Sequence, residues 1–439
     1  MIIRNLYYKK VSIKLIMKNF FIFKKKYWLI TWFFFVMGVQ YIIRIKKGEY
    51  EIHTVVTMII KNAKIFDGDK FIGENAVIIE GRKIKKITST PFLTDEDLKN
   101  NEVIDIEGKV LSPGFIDLQL NGCGGVLFND EITRETLEIM NETNKRFGAT
   151  SYLPTLITSP DEKILKALKL IEDLKDEKED IGVLGLHIEG PYISLEKKGV
   201  HRPDYIRVLS DSVIDEIAKV GYEGVKIMTI APEVALEKHL IKLYESGINL
   251  SIGHSNALYE EIKEKEKYYR NATHLFNAMR PFDSREPGVV GYLLDNKNMN
   301  CGIIVDGLHA SFPSVRVVKE VLKSKLYLVT DAVSPMGTNM EYFMFEGHKV
   351  YYKDGRCATE TGTLGGSALD MITGIKNLVK EVKISEEEAL RMATSYPAKA
   401  VQVDDRYGYI KEGYIADLTY YNEDFVVEGT IAKGQLTKY

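Results

Sequence analysis

The sequence predicts an α/β protein: a parallel (β/α)8, TIM-like barrel joined to a small β-sandwich domain built from both ends of the core chain. Two observations carry the prediction. Apolar strand-like runs alternate with charged helical stretches through roughly 250 residues, the rhythm that a closed parallel barrel requires. Short β-branched runs separated by turn residues precede that stretch and return after it. With 439 residues, 45% hydrophobic and 28% charged, the chain can fill a large core and is neither disordered nor fibrous in composition. A net charge of -3 offers no electrostatic footprint for nucleic acid. The three cysteines, Cys123, Cys301 and Cys357, form no CxxC pair, which argues against a disulfide scaffold or a Cys-based zinc knuckle. A reducing, cytoplasmic setting is therefore expected.

Residues 1–57 are a different material. They carry 11 Lys/Arg against two acids, Glu49 and Glu51, a net charge of +9 that leaves -12 for the remainder. Within them Tyr27 to Ile43 is a charge-free run of 17 residues flanked by Lys24, Lys25 and Lys26 and by Arg44, Lys46 and Lys47. That is short for a membrane span, which needs about 20 residues, and no small-x-small cleavage site follows it. The reading preferred over a membrane anchor is that Met58 is the working start and that this extension lies upstream of it.

From residue 58 the elements follow in order. The runs IIKNAKIF, FIGENAVIIEG, RKIKKI and EVIDIEGKVL, punctuated by Asp67-Gly68-Asp69 and Glu107-Gly108, form the first part of the sandwich, 58–111. The barrel occupies 112–408. Its strand segments SYLPTLI, IGVLGLHIEG, VKIMTIAPE, INLSIGHS, ATHLFNA, CGIIVDG and KLYLVTDA alternate with helical stretches such as EKILKALKLIEDLKDE, SDSVIDEIAKV and YEEIKEKEKYYR. The last stretch, 409–439, returns to short strands that rejoin the first sandwich segment.

Barrel enzymes build their sites at the C-terminal ends of the strands. Glu189 follows LGLHI there, His254 follows NLSIG, His274 sits in ATHLF and Asp331 follows LYLVT. A lone His or Glu near a strand end is usually structural. Two imidazoles and one carboxylate at successive strand ends, with a further carboxylate beside them, form instead a common set of ligands for a catalytic divalent metal, with Asp331 available as general base.

The strings PGFIDLQLNGCGG, LGLHIEGPYIS, KKGVHRPDYIR, SIGHSNA, ATHLFNAMRPFDSREPG, CGIIVDGLH, LVTDAVSPMG and TLGGSALDM stand in family order and at compatible spacing over residues 59 to about 434. On them the chain resembles the N-acetylglucosamine-6-phosphate deacetylases of the amidohydrolase superfamily. The resemblance implies hydrolysis of the acetamide of N-acetyl-D-glucosamine 6-phosphate to glucosamine 6-phosphate and acetate, in amino-sugar catabolism. It implies that Glu189, His254 and His274 hold one divalent metal ion, zinc by default and iron, cobalt or manganese by the same ligands, that Asp331 is the acid/base, and that His201 stabilises the oxyanion. Asn277, Arg285 and His309 would meet the 6-phosphate, with Arg285 reaching the neighbouring site in a homodimer or homotetramer. Val200, Ala278, Asp306, Gly307, Leu308, Leu364, Gly365 and Gly366 would complete the sugar contacts. Many superfamily members place H-x-H after the first barrel strand; here the position reads Gln119-Leu120-Asn121. Amides are poor metal ligands, which implies a single-metal site. Two other readings share the sequence: a related hydrolase of another substrate such as N-acetylgalactosamine 6-phosphate, and a non-catalytic, membrane-tethered sugar-phosphate sensor. An intact metal and acid/base set argues against the sensor.

Overall fold

The computed structural model describes residues 57–439 throughout and, before them, the backbone of three strands, Thr31–Val36, Val39–Lys46 and Glu49–Val55. These three pair in sequence order as an antiparallel sheet within a unit of their own, Met1–Val56. Of the charge-free run 27–43, residues 27–30 and 37–38 lie outside the described residues and the others belong to the first two strands. Among the described residues no helix is long and apolar enough to cross a membrane.

In the second unit eight parallel strands are neighbours in chain order: β1 Phe115–Leu120, β2 Ala149–Ile157, β3 Leu186–Glu189, β4 Val225–Thr229, β5 Asn249–Ile252, β6 Tyr269–Ala272, β7 Asn300–Ile304 and β8 Leu326–Val329. Most are short, rich in β-branched or long apolar residues and buried on both faces, as strands covered by helices outside and by packed side chains inside must be. The ring closes where β1 meets β8: the Asp331 amide donates to the Gln119 carbonyl at 2.9 Å, and Thr330 Oγ1 donates to the buried Asp117 carboxylate at 2.5 Å.

The outer helices bury one stripe. In Asp161–Asp173 the buried positions Ile164, Ala167, Leu168 and Ile171 recur at helical spacing, each large one contributing roughly 1.5–3 kcal/mol by burial. Hydroxyl caps set several starts: Thr133 accepts from the Thr136 amide, Ser210 from Val213 and Ser311 from Ser314. One sequence boundary shifts. The helical reading of YEEIKEKEKYYR ends at Lys265, and Tyr269 already opens β6, because Tyr268 and Tyr269 are core residues whose apolar pair fits either period.

The small domain is a sandwich of two sheets. One holds Lys64–Ile65, Val110–Pro113, Leu418–Tyr421, Val427–Ala432 and Gln435–Lys438; the other holds Thr57–Lys61, Ala76–Glu80, Lys83–Thr88 and Glu102–Asp105. Both ends of the core chain thus share one apolar filling that includes Ile60, Ile65, Val77, Ile79, Leu111, Leu418 and Ile431.

A further sheet escapes the sequence reading. After β8 the strands Tyr342–Phe345, His348–Lys353, Arg356–Thr359 and Leu364–Ser367 form an antiparallel meander. Its turns, Glu346-Gly347 and Asp354-Gly355, have positive φ at both residues, the two-residue hairpin geometry. Phe343, Phe345, Val350 and Cys357 pack inward against Leu127, Ile157 and Val333, which lays the meander beside the C-terminal mouth of the barrel.

Candidate active site

Three residues on which the sequence argument rests share one local device. His254, His274 and Asp331 each stand two positions past the end of their strand, and each has positive φ, 47°, 34° and 52°. The left-handed turn takes the chain off the strand end, at a conformational cost of roughly 1–2 kcal/mol per residue. His and Asp tolerate that region better than β-branched residues do. Glu189 is the last residue of β3.

The side chains converge. Glu189 Oε1 lies 3.1 Å from His254 Nε2 and 3.0 Å from His274 Nε2, and the two nitrogens are 3.1 Å apart. All three side chains are buried. A tetrahedral ion with bonds of about 2.0–2.1 Å spaces its ligands by about 3.3 Å, so this triangle is close to one face of such a shell. The donor chemistry fits too. His254 Nδ1 is 2.8 Å from the Lys197 carbonyl, which can only accept, so Nδ1 carries a proton and Nε2, beside the Glu189 oxygen, is the nitrogen left to offer a lone pair to an ion. Converging lone pairs in a buried space call for a cation.

Burial by itself would raise the Glu189 carboxyl, but the His254 and His274 hydrogen bonds and charge hold it well below its ordinary value. Asp331 moves the other way. Burial, and then the nearby Glu189 charge, push it up to about 6. Gln119 joins the two carboxylates: its Nε2 is 3.2 Å from both Glu189 oxygens and 3.1 Å from Asp331 Oδ1. Asn121 Nδ2 donates to the same Asp331 oxygen at 2.6 Å.

His201 is buried beside His254, ring centroids 4.3 Å apart, and its Nδ1 is 2.7 Å from Thr158 Oγ1. Burial, followed by the His254 charge, holds it well below the usual imidazole range, so the ring is neutral. Below the site the barrel interior is filled by a hydroxyl–imidazole chain: His187 Nε2 to Thr229 Oγ1 at 2.8 Å, Thr229 to Thr273 at 2.6 Å and Thr273 to Ser251 at 2.7 Å. This floor ties successive strands together directly beneath the histidines.

The cleft above has an empty volume of about 610 Å³ and is lined by Glu189, His254, His274, Asp331, His201, Val200, Asn277, Ala278, His309, Leu364 and Gly366, together with Asn121, Ile157, Gly199 and Phe345. His309 is oriented by Asp306, whose Oδ2 is 2.6 Å from Nδ1 and whose Oδ1 accepts the Leu308 and His309 amides. Asp306, Gly307, Leu308 and Gly365 stand behind or beside this lining, not in it. Gly366 has φ 76°, and a Cβ there would meet Val333 Cγ1 at 2.6 Å, so only glycine carries the chain past Asp331. Arg285 is exposed on the loop after β6 and does not line the cleft of its own chain.

Sequence reasoning did not single out Thr158, Phe345 or the donor roles of Gln119 and Asn121. Applying the strand-end rule to β2 points to Thr158. Phe345 depends on the meander, whose signal is the pair of Glu-Gly and Asp-Gly turns between alternating apolar residues.

Gly253 separates β5 from His254, and a Cβ on it would meet Thr229 Cγ2 at 2.7 Å and Thr273 Cβ at 2.9 Å. Gly253→Ala is therefore expected to cost about 1–3 kcal/mol of stability and to weaken metal retention by moving His254. Thermal unfolding and metal analysis of the variant check this; an unchanged pair of values would remove the floor from its supporting role.

The chain matches the amidohydrolase family model over residues 110–437. It is 43% identical over 379 residues to the N-acetylglucosamine-6-phosphate deacetylase of Haemophilus influenzae, covering 85% of this chain and 97% of that protein. To the N-acetylgalactosamine-6-phosphate deacetylase of a Shewanella species it is 36% identical, over 74% of this chain and 82% of that one. The crystal structure of N-acetylglucosamine-6-phosphate deacetylase from Pasteurella multocida superposes with a TM-score of 0.84 at 42% identity, covering 87% of this chain and all of that one. With the barrel, the sandwich and the three-ligand cluster at the strand ends already in place, these likenesses establish that the chain belongs to the amidohydrolase family and, within it, to the N-acetylglucosamine-6-phosphate deacetylases.

Proposed function

We propose that this protein hydrolyses N-acetyl-D-glucosamine 6-phosphate to D-glucosamine 6-phosphate and acetate, as a metal-dependent amide hydrolase of amino-sugar catabolism. The observation that carries the proposal is the placement of Asp331, a carboxylate kept near neutrality in its titration, beside a three-ligand cluster in one cleft. Glu189, His254 and His274 would hold one divalent ion, zinc by default and iron, cobalt or manganese by the same ligands. Bound there, the ion supplies the Lewis acidity that makes water nucleophilic at neutral pH and polarises an amide carbonyl.

The chain's own residues do the rest. Gln119 and Asn121 both donate to Asp331 Oδ1, which leaves Oδ2 to take a proton from water and to return it to the departing nitrogen. An amine cannot leave as its anion, so this return is required. His201 is neutral; the tautomer in which Thr158 Oγ1 donates to Nδ1 would leave a proton on Nε2 to give to the acetyl oxygen as charge develops there. Asn277 and His309 would receive the phosphate, with Arg285 contributed across the interface of a homodimer or homotetramer. We place the enzyme in the cytoplasm, in keeping with its three free, buried cysteines.

Acetate release by the metal-loaded protein tests the reading directly. Turnover is expected to be greatest with N-acetylglucosamine 6-phosphate, lower with N-acetylgalactosamine 6-phosphate and slight with unphosphorylated N-acetylglucosamine. No acetate from any of them, or a preference for the galacto isomer, would overturn it. Arg285→Ala should raise KM for the phosphorylated substrate by about 10- to 100-fold while leaving the unphosphorylated sugar within about two-fold. Equal effects on both would separate Arg285 from the phosphate.

A further inference from the structure

Asn121 lines the cleft with its hydrogen bonding half finished. Its side chain is 3% exposed, it lines the cleft, and its Nδ2 is committed to Asp331 at 2.6 Å. Its Oδ1 is buried and has no partner in the chain. The orientation of the amide is set by charge, because turning it would press the carbonyl oxygen against the Asp331 carboxylate. A buried carbonyl left unpaired carries its full desolvation penalty, and such a cost persists at a site where a ligand removes it.

Resting on the deacetylase reading above, we propose that Asn121 binds substrate directly, its Oδ1 accepting the N–H of the acetamide while its Nδ2 holds Asp331. The same amide then touches both partners of the proton transfer. When water adds to the carbonyl, the nitrogen becomes pyramidal and gains a lone pair, which must face the acid that will protonate it. A nitrogen whose N–H is held by Asn121 Oδ1 has only one remaining direction for that lone pair, and Asp331 is anchored on the other arm of the same carboxamide. No proton is exchanged with Asn121 itself; the proton passes from Asp331 to nitrogen, the C–N bond breaks, and acetate and amine leave. The sequence Gln119-Leu120-Asn121 thus turns a strand end that binds metal in other superfamily members into one that aligns the two carboxylates and the substrate nitrogen.

The test separates substrate contact from any effect on Asp331 by removing Asp331. In the metal-loaded, full-length D331A protein, binding is measured by calorimetry for N-acetylglucosamine 6-phosphate and for 2-O-acetylglucose 6-phosphate, in which an ester oxygen replaces the N–H. The two Kd values are measured again in D331A/N121L and, as a less bulky replacement, in D331A/N121S. The expected result is that the amide loses about ten-fold in affinity with either change, whereas the ester moves by less than about two-fold. Equal shifts for both ligands, or no shift for the amide, would overturn the assignment. Metal content and thermal unfolding of each variant verify that the cleft is intact. If D331A binds neither ligand and the wild-type chain releases no acetate, the failure belongs to the deacetylase reading and not to Asn121.

Discussion

Asp331→Asn is expected to lower kcat by about 10³-fold, within the roughly 10²–10⁴ that a positioned acid/base contributes, while metal content stays near that of the wild-type chain. The substitution preserves volume and an oxygen that Gln119 and Asn121 can still engage, and Asp331 is not one of the three converging ligands. What it removes is the carboxylate proposed to take the water proton and return it to nitrogen. Kinetics and elemental analysis on the same preparation decide the matter: turnover within ten-fold of wild type would take Asp331 out of this role, and loss of metal would make it a ligand. The pH dependence carries a sign as well. Burial and the Glu189 charge raise the Asp331 carboxyl to about 6, so its charged form, the one that accepts a proton, is lost as pH falls through that value. A cation at the adjacent ligands favours the carboxylate and moves the loss lower. The acid limb of kcat/KM is therefore expected at or below pH 6, and a limb well above it would point to a different base.

His274→Ala should abolish both metal retention and turnover, the latter by about three orders of magnitude or more, as expected when the ion that activates water is gone. Removing this imidazole leaves Glu189 and His254 as two ligands of a buried cluster whose third corner is empty. Stripping the wild-type protein with a chelator should have the same effect and be reversed by added zinc, which the variant should not permit. Full activity in a preparation shown to be free of metal would defeat the mechanism at its root.

Much of the fold was legible because local chemistry and global arrangement agree. The alternation of buried runs such as SYLPTLI with stripes such as Ile164, Ala167, Leu168 and Ile171 follows from a strand covered on both faces and a helix covered on one. The four-strand meander was not legible, since each of its strands is only four to six residues long and its apolar face is completed by Leu127, Ile157 and Val333 from elsewhere in the chain. The start of β6 at Tyr269 was obscured for a related reason, a pair of tyrosines that suits a helix end as well as a strand.

The amino-acid sequence by itself determined the barrel, the sandwich built from both ends of the core chain and the standing of Glu189, His254, His274 and Asp331 at strand ends, because residue type and strand-end position are properties of the chain. The tertiary structure alone decided what those residues are to one another: Oε1 and the two Nε2 atoms about 3 Å apart, Gln119 between two carboxylates, Thr158 behind His201, and a buried Asn121 carbonyl left without a partner. Hydrogen bonds and charge coupling act over a few ångströms between side chains far apart in sequence, 212 positions for Gln119 and Asp331. Such distances exist only once the eighth strand has closed on the first.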